Sequence, residues 1–301
     1  MGFFDCIDNQ EAANTLLDAC KNWLQARGME AMDGPINFGE RDKWWGVLLD
    51  GFYEPTYCMP YNYPYYQQLL ENYGFQLFFK QYTYYRTVHD PIPEKYQDKA
   101  ERVLSDPNYH FRHLDKKNLA KYTEDFRDVY NKGWAKHEGV KPMTEAQAAA
   151  IMKQLKPILD ERIMWFAYYN NEPAGFFIAI PELNQLFKYI KNGKLDLIGK
   201  LKFLYHRWRG ACKTMYGIVF GITPQHQGKG VEAAMIVAAG RVVINNPSIP
   251  YYDLQMNWIG DFNPKMMRLV EQIGGRIYKT HATYRYLFDR TKEFKRSKII
   301  H

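Results

Sequence analysis

The chain has 301 residues, 46% of them hydrophobic, which is enough for real cores and excludes wholesale disorder; at about 100–150 residues per domain it fits two domains better than one. Lys and Arg outnumber Asp and Glu by 40 to 33, and the net charge of +7 suits an anionic ligand or an acidic surface. It makes no case for nucleic acid, since zinc-finger and helix-turn-helix signatures are absent. Four scattered cysteines without a Cys-x-x-Cys pair read as buried thiols of a reducing compartment, and no metal site is expected. No apolar run reaches the ~18 residues of a membrane span, and "MGFFDCIDNQ" lacks the basic start of a signal peptide, so a cytoplasmic location is expected.

In chain order, "GFFDCI" reads as a strand. "NQEAANTLLDACKNWLQARG" reads as an amphipathic helix, with Leu16, Leu17, Cys20, Trp23 and Leu24 at helical spacing and Gly28 closing it. A strand in "WWGVLLDGF" follows, then a short helix in "PYYQQLLENYGF" ended by Gly74, then a long aromatic strand in "QLFFKQYTYYRTV". The polar, proline-containing stretch after it predicts a boundary, with a first domain over 1–88 and a linker over 89–108. A second domain is expected over 109–290. It opens on the strand "YHFRHL", followed by helices at about 116–133 and 144–158 and the strands "ERIMWFAYY" and "EPAGFFIAI" joined by the turn "NNEP". Residues 182–210 form a basic, helical insert. The strand "CKTMYGIVFGIT", a helix over about 229–244, the strand "PYYDLQMNWI", a helix from Pro264 to Gly274 and the strand "GRIYKTHATYRYLF" complete the domain, and a charged tail covers 291–301.

Shifting the chain by 200 residues lays 64–85 over 264–285 with six identities: Pro64/Pro264, Leu69/Leu269, Glu71/Glu271, Gly74/Gly274, Thr83/Thr283 and Tyr84/Tyr284. The preceding elements match in order, which predicts a duplicated α/β unit whose first copy begins abruptly at "GFFDCI".

The stretch "TPQHQGKGVEAAM" follows the strongest strand and opens a helix. Such a turn gathers backbone N–H groups at the positive end of the helix dipole, and its glycines let a phosphate approach the chain. It is no Walker A loop, because Val231-Glu232-Ala233 stands where Lys-Ser/Thr is needed. It sits too late in the chain for a Rossmann turn, and the following strand ends in Asn257-Trp258 rather than an acid.

Gln227-Gly228-Lys229-Gly230-Val231-Glu232, preceded by Ile222-Thr223-Pro224, resembles the Gln/Arg-x-x-Gly-x-Gly/Ala signature of the GNAT superfamily of acyl-CoA-dependent N-acyltransferases. "NWIGDFNPKMMRLVEQIGGRIYK" is similar to the family's next strand and Asn-led helix, and the element order agrees across 109–288. A parsing from Gln225 also satisfies the pattern, two residues nearer the strand. The resemblance implies an α/β (α+β) fold with a mixed central sheet flanked by helices, partly duplicated as in tandem-GNAT proteins with a degenerate first copy. It further implies that the central strand parts from its neighbour to open a wedge. Acetyl-CoA or another acyl-CoA is the implied cosubstrate, held by Ile222, Gln227, Gly228, Lys229, Gly230, Val231 and Asn263. Glu232 departs from the signature's last Gly/Ala, and its carboxylate either points outward or repels a phosphate.

The implied activity is acyl transfer to a small-molecule amine, which needs a proton acceptor for the amine and a proton donor for the thiolate. The family's usual Glu on the central strand is missing, and Val270 stands where a Tyr is usual. Asp253, Gln255 and Asn257 alternate onto one strand face, which makes Asp253 a candidate base, and Tyr284 on the last strand is the second catalytic candidate. His226 neighbours the loop, and Asn263 also suits a helix cap before Pro264. The insert, with Lys188, Lys191, Lys194, Lys200, Lys202, Arg207 and Arg209 among apolar residues, suits a membrane surface, a long-chain acyl group, or ordinary packing by its apolar face. Two alternatives stand beside acyl transfer: a GNAT-fold binding or regulatory protein without catalysis, and a Fem-type aminoacyl transferase.

Overall fold

Asn9 starts the first helix: its side-chain oxygen accepts the Ala12 N–H at 2.9 Å, and Ala13 and Leu17, one turn apart, point into the core. The computed structural model describes residues 1–39, 43–44, 46–134 and 141–300. In chain order the elements are α1 (Gln10–Gln25), β1 (Ala31–Gly34), β2 (Val47–Asp50), α2 (Tyr66–Tyr73), β3 (Gln76–Thr87), α3 (Glu94–Leu104), β4 (Tyr109–His113), α4 (Leu119–Trp134) and α5 (Glu145–Leu155). They continue as β5 (Met164–Tyr169), β6 (Glu172–Pro181), α6 (Asn184–Phe187), α7 (Leu197–Trp208), β7 (Thr214–Ile222), α8 (Val231–Asn245), β8 (Asp253–Gly260), α9 (Pro264–Gln272) and β9 (Arg276–Leu287). Helix and sheet alternate as an α/β fold with a mixed sheet. Trp45, in the predicted strand "WWGVLLDGF", lies outside the described residues.

The chain divides into two units. Unit 1 takes residues 1–84, 258–271 and 276–301; unit 2 takes 85–257 and 272–275. In unit 1, β1 and β2 both pair antiparallel with β9, and β3 lies beside β9. Leu17, Met32, Val47, Leu70, Ala282 and Tyr284 pack as its core. In unit 2, β4 to β7 form an antiparallel meander and β8 joins β7 in parallel, which makes the sheet mixed. The β5–β6 hairpin turns on Asn170 and Asn171, both at positive φ (48° and 68°), the pattern that two-residue hairpin loops favour. Helix α5 begins with a capping box in which Thr144 and Gln147 satisfy each other's backbone N–H.

Three expectations are corrected. "GFFDCI" forms no strand, because its backbone donors go to side chains: Phe3 N–H to Asn37 Oδ1 at 2.6 Å and Cys6 N–H to the Tyr66 hydroxyl at 3.1 Å. The stretch taken as a linker over 89–108 contains α3, whose Tyr96, Ala100 and Val103 fall at i, i+4 and i+7 and are buried. A division into 1–88 and 109–290 also differs from the units, because β9, near the chain's end, pairs with β1 and β2 from its beginning.

Candidate active site

Strand β7 leads into the glycine loop, and local bonds fix the turn between them. Fully buried Thr223 donates both its N–H (2.9 Å) and its hydroxyl (3.2 Å) to the Ala174 carbonyl, and Gln227 Nε2 reaches back to the Ile222 carbonyl at 3.0 Å. Gln227, Gly228 and Lys229 are exposed, whereas Gly230 and Val231 are buried. Gly228 (φ 74°) and Gly230 (φ 94°) both occupy the left-handed region that side chains disfavour. Gly230 is the N-cap of α8 and offers no side-chain cap, so the first-turn N–H groups, which have no intrahelical acceptor, receive none from the cap residue. The loop therefore presents the donors and the partial positive charge that an anion needs.

The two glycines differ in surroundings. A Cβ at Gly228 would enter open space, but one at Gly230 would meet Lys99 Cγ and Val103 Cγ2 of α3, both at 3.2 Å. The Cβ side of Gly230 thus serves the packing of α3 on α8, while Gly228 holds the open approach. Glu232 has neither orientation expected of it. Its carboxylate is nearly buried and pairs with Lys99 of α3, which neutralises it at the helix N-terminus. A second ion pair, Arg241 to Glu101, ties the same two helices.

The register between β7 and β8 covers Thr214–Gly217 against Asp253–Met256, while β7 runs on to Ile222. Within unit 2 the paired register thus ends at Gly217 and Met256, and β7 continues alone towards the glycine loop. At that point the Asn257 amide donates to the buried Tyr216 hydroxyl at 3.1 Å. Gln255, on the same face as Asn257, has a buried side-chain oxygen without a partner among the described residues. Asp253 opens β8 at the paired end, three positions before Met256, or roughly 10 Å along the strand. There it accepts the Tyr85 hydroxyl at 2.5 Å. Tyr216 and Tyr85 both escaped the sequence reading, which sought a carboxylate on β7 and had no means of choosing among 24 tyrosines.

The remaining candidates are engaged in bonds of their own. Tyr284 is buried in unit 1, where its hydroxyl donates to Glu71 at 2.8 Å; burial, with Glu71 beside it, raises its pKa. Asn263, also in unit 1, caps α9 by accepting the Met266 N–H at 3.2 Å. His226 is buried with Nδ1 2.7 Å from the Tyr109 hydroxyl, and desolvation, helped by Lys229, lowers its pKa. Unit 1 also contains a cleft of about 220 Å³ lined mainly by Phe78, Phe79, Trp258 and Phe262, and none of the predicted site residues lines it. Among the described residues, no group of three His, Cys, Asp or Glu side chains is placed to hold a metal, all four cysteines are free thiols, and no helix is long and apolar enough to cross a membrane.

No protein-family profile matches the chain. It is 26% identical over 288 residues to the bacterial ceramide synthase of Caulobacter vibrioides (strain NA1000 / CB15N), covering 94% of this chain and 73% of that protein. It is 24% identical over 291 residues to protein YghO of Escherichia coli (strain K12), covering 94% and 72%. Among solved structures it resembles the GCN5-related glucosamine N-acetyltransferase region of a fungal multi-domain GH3 β-N-acetylglucosaminidase, with a TM-score of 0.51 and 9% identity; the match covers 90% of this chain but only 27% of that one. It also resembles the GCN5-related N-acetyltransferase of Sphaerobacter thermophilus, with a TM-score of 0.50 and 10% identity over 91% of this chain and 67% of that one. The fold is of the GNAT type.

Proposed function

We propose that the chain is an N-acyltransferase that moves an acyl group from acyl-CoA to the amine of a long-chain amino alcohol. The observation that carries this reading is the glycine-loop helix N-terminus, without a side-chain cap from Gly230, that follows β7 where its register with β8 has ended. Two features fit coenzyme A there: the open approach at Gly228, which suits a pyrophosphate, and the orphaned Gln255 oxygen, which suits a donor. The similarity to a protein named bacterial ceramide synthase supports the acceptor class, since ceramide is an amide of a long-chain amino alcohol.

Acyl-CoA supplies the thioester: the amine nitrogen forms the new C–N bond as the C–S bond breaks, the amine gives up a proton and the thiolate takes one. In this reading the backbone N–H groups of Gly228 through Val231, with Lys229, hold the anionic end of the cosubstrate, and Ile222 and Gln227 shape the loop. The Tyr216 hydroxyl, held by Asn257, donates the proton to the leaving thiolate. Asp253, held by Tyr85, takes the amine proton through water along the Gln255–Asn257 face. Tyr284 and Asn263, bonded within unit 1, keep structural roles. The identities at an offset of 200 residues are read as the trace of a duplication.

The test is incubation with palmitoyl-CoA and sphinganine, reading thiol release and amide by mass spectrometry. Amide formation lost in Tyr216→Phe is expected. Coenzyme A binding without turnover of any amine would favour a non-catalytic binding protein, a reading that fully buried Val270, standing where a hydroxyl was expected, also favours. Absence of both binding and turnover would overturn the proposal.

A further inference from the structure

Helix α7 in the basic insert faces the wrong way for a helix packed by its apolar side. Its buried positions are Gly199 and Phe203, and Phe203 packs on Phe187 with ring centroids 5.8 Å apart. His206 stacks on Tyr189 at 3.7 Å, and the Arg207 guanidinium donates to the Leu159 carbonyl at 2.8 Å and the Pro157 carbonyl at 3.2 Å. Asp196 caps the N-terminus by accepting the Gly199 N–H at 2.8 Å. The helix is therefore pinned by one narrow face.

The opposite face carries Leu197, Ile198, Leu201, Leu204, Tyr205 and Trp208, all exposed, with Leu197 at 74% and Trp208 at 79%. At about 100° per residue these six fall within an arc of roughly 120°. Lys200 borders that arc on one side and Lys202 on the other, and both are exposed. Lys194 precedes the helix and Arg209 follows it, both also exposed. Of the two acidic residues in 182–210, Glu182 is buried and accepts the Gln185 N–H at 3.1 Å, and Asp196 is occupied as the cap.

We propose that this face of α7 docks the protein onto an anionic lipid bilayer. Aliphatic side chains with Trp and Tyr enter the region between headgroups and acyl chains, while flanking lysines keep their ammonium groups among the phosphates. Charge decides between occupants. A second copy of the chain would bring the same lysine borders against themselves, whereas an anionic surface matches them. The proposal rests on the placement of α7 alone and stands whether or not the chain transfers acyl groups.

The test is co-sedimentation of the whole chain with vesicles of phosphatidylcholine, with and without phosphatidylglycerol. Binding is expected with phosphatidylglycerol and should weaken at high salt. Leu201→Glu/Leu204→Glu changes only exposed positions, so circular dichroism should match the parent while vesicle affinity falls about tenfold or more. Lys200→Gln/Lys202→Gln should remove most of the preference for anionic lipid. Binding that survives Leu201→Glu/Leu204→Glu, or no binding to either vesicle, would overturn the proposal. So would a concentration-dependent dimer that the same substitutions dissociate, which would assign the face to a second copy.

Discussion

The Tyr84 hydroxyl donates to Glu271 at 3.3 Å, and the Tyr284 hydroxyl donates to Glu71 at 2.8 Å. Tyr84 and Tyr284, like Glu71 and Glu271, stand 200 residues apart, and each tyrosine bonds the glutamate of the other segment. Thr283 adds a bond from the same strand to Gln81 at 3.2 Å. The bonds are reciprocal because β3 and β9 lie side by side in unit 1. The arrangement accounts for the tyrosines being fully buried while both glutamates stay at the surface.

Removing either hydroxyl should cost little and equally. Tyr84→Phe and Tyr284→Phe each lose one hydrogen bond to a charged group that water can resolvate, so each should destabilise by about 1–2 kcal/mol. The double variant should show near-additive loss in urea denaturation. A loss above about 4 kcal/mol in either single variant would mean that the hydroxyl anchors more than its glutamate.

The pair between Lys99 and Glu232 makes a sharper prediction. Lys99→Met leaves a nearly buried carboxylate without its cation and should destabilise by about 2 kcal/mol, discounted because the lysine is partly exposed. Lys99→Met/Glu232→Gln should recover part of that loss. A double-mutant cycle with no coupling would show that the pair contributes nothing to holding α3 on α8.

Much of this was legible in the sequence, for identifiable reasons. The aromatic strand β3 and the strand β7 leading into the glycine loop were read where they occur, and Asn263 before Pro264 marked the start of α9. What escaped depended on partners distant in the chain. Helix α3 is polar on three sides, and its short apolar row acquires meaning only against α8. Glu232 looked like a defect in the loop because Lys99 is 133 residues away. The insert's apolar stripe was visible, but its direction was not, since periodicity defines a face without saying what covers it.

Acid should destabilise unit 1 through His281. Its ring is fully buried with Nε2 3.2 Å from the Pro60 carbonyl, and desolvation lowers its pKa from 6.5 to about 4. A depressed histidine pKa means that the unfolded chain binds the extra proton, so stability is present above pH 6.5 and is lost as pH falls towards 4. The loss from this one group is on the order of 3 kcal/mol. Urea denaturation at neutral pH and near pH 4.5 should show it, and His281→Gln should flatten the difference even if it lowers stability at both. An unchanged pH slope in that variant would place the acid sensitivity in other groups.

The two glycines of the loop should separate binding from folding. Gly228 sits in open space at φ 74°, a conformation asparagine tolerates, so Gly228→Asn should fold normally while its side chain occupies the approach to the backbone donors. Losing one or two charge-assisted hydrogen bonds, each roughly 1.5–3 kcal/mol, should weaken coenzyme A binding at least about tenfold by calorimetry. Gly230→Ala meets a different obstacle: its Cβ would press on Lys99 and Val103 at 3.2 Å while the backbone stays at φ 94°. That variant should lose about 2 kcal/mol of stability, through crowding and left-handed strain together, while its folded fraction binds coenzyme A more nearly as the parent does. Parent-like affinity in Gly228→Asn would place the ligand away from this loop and remove the main support for acyl transfer.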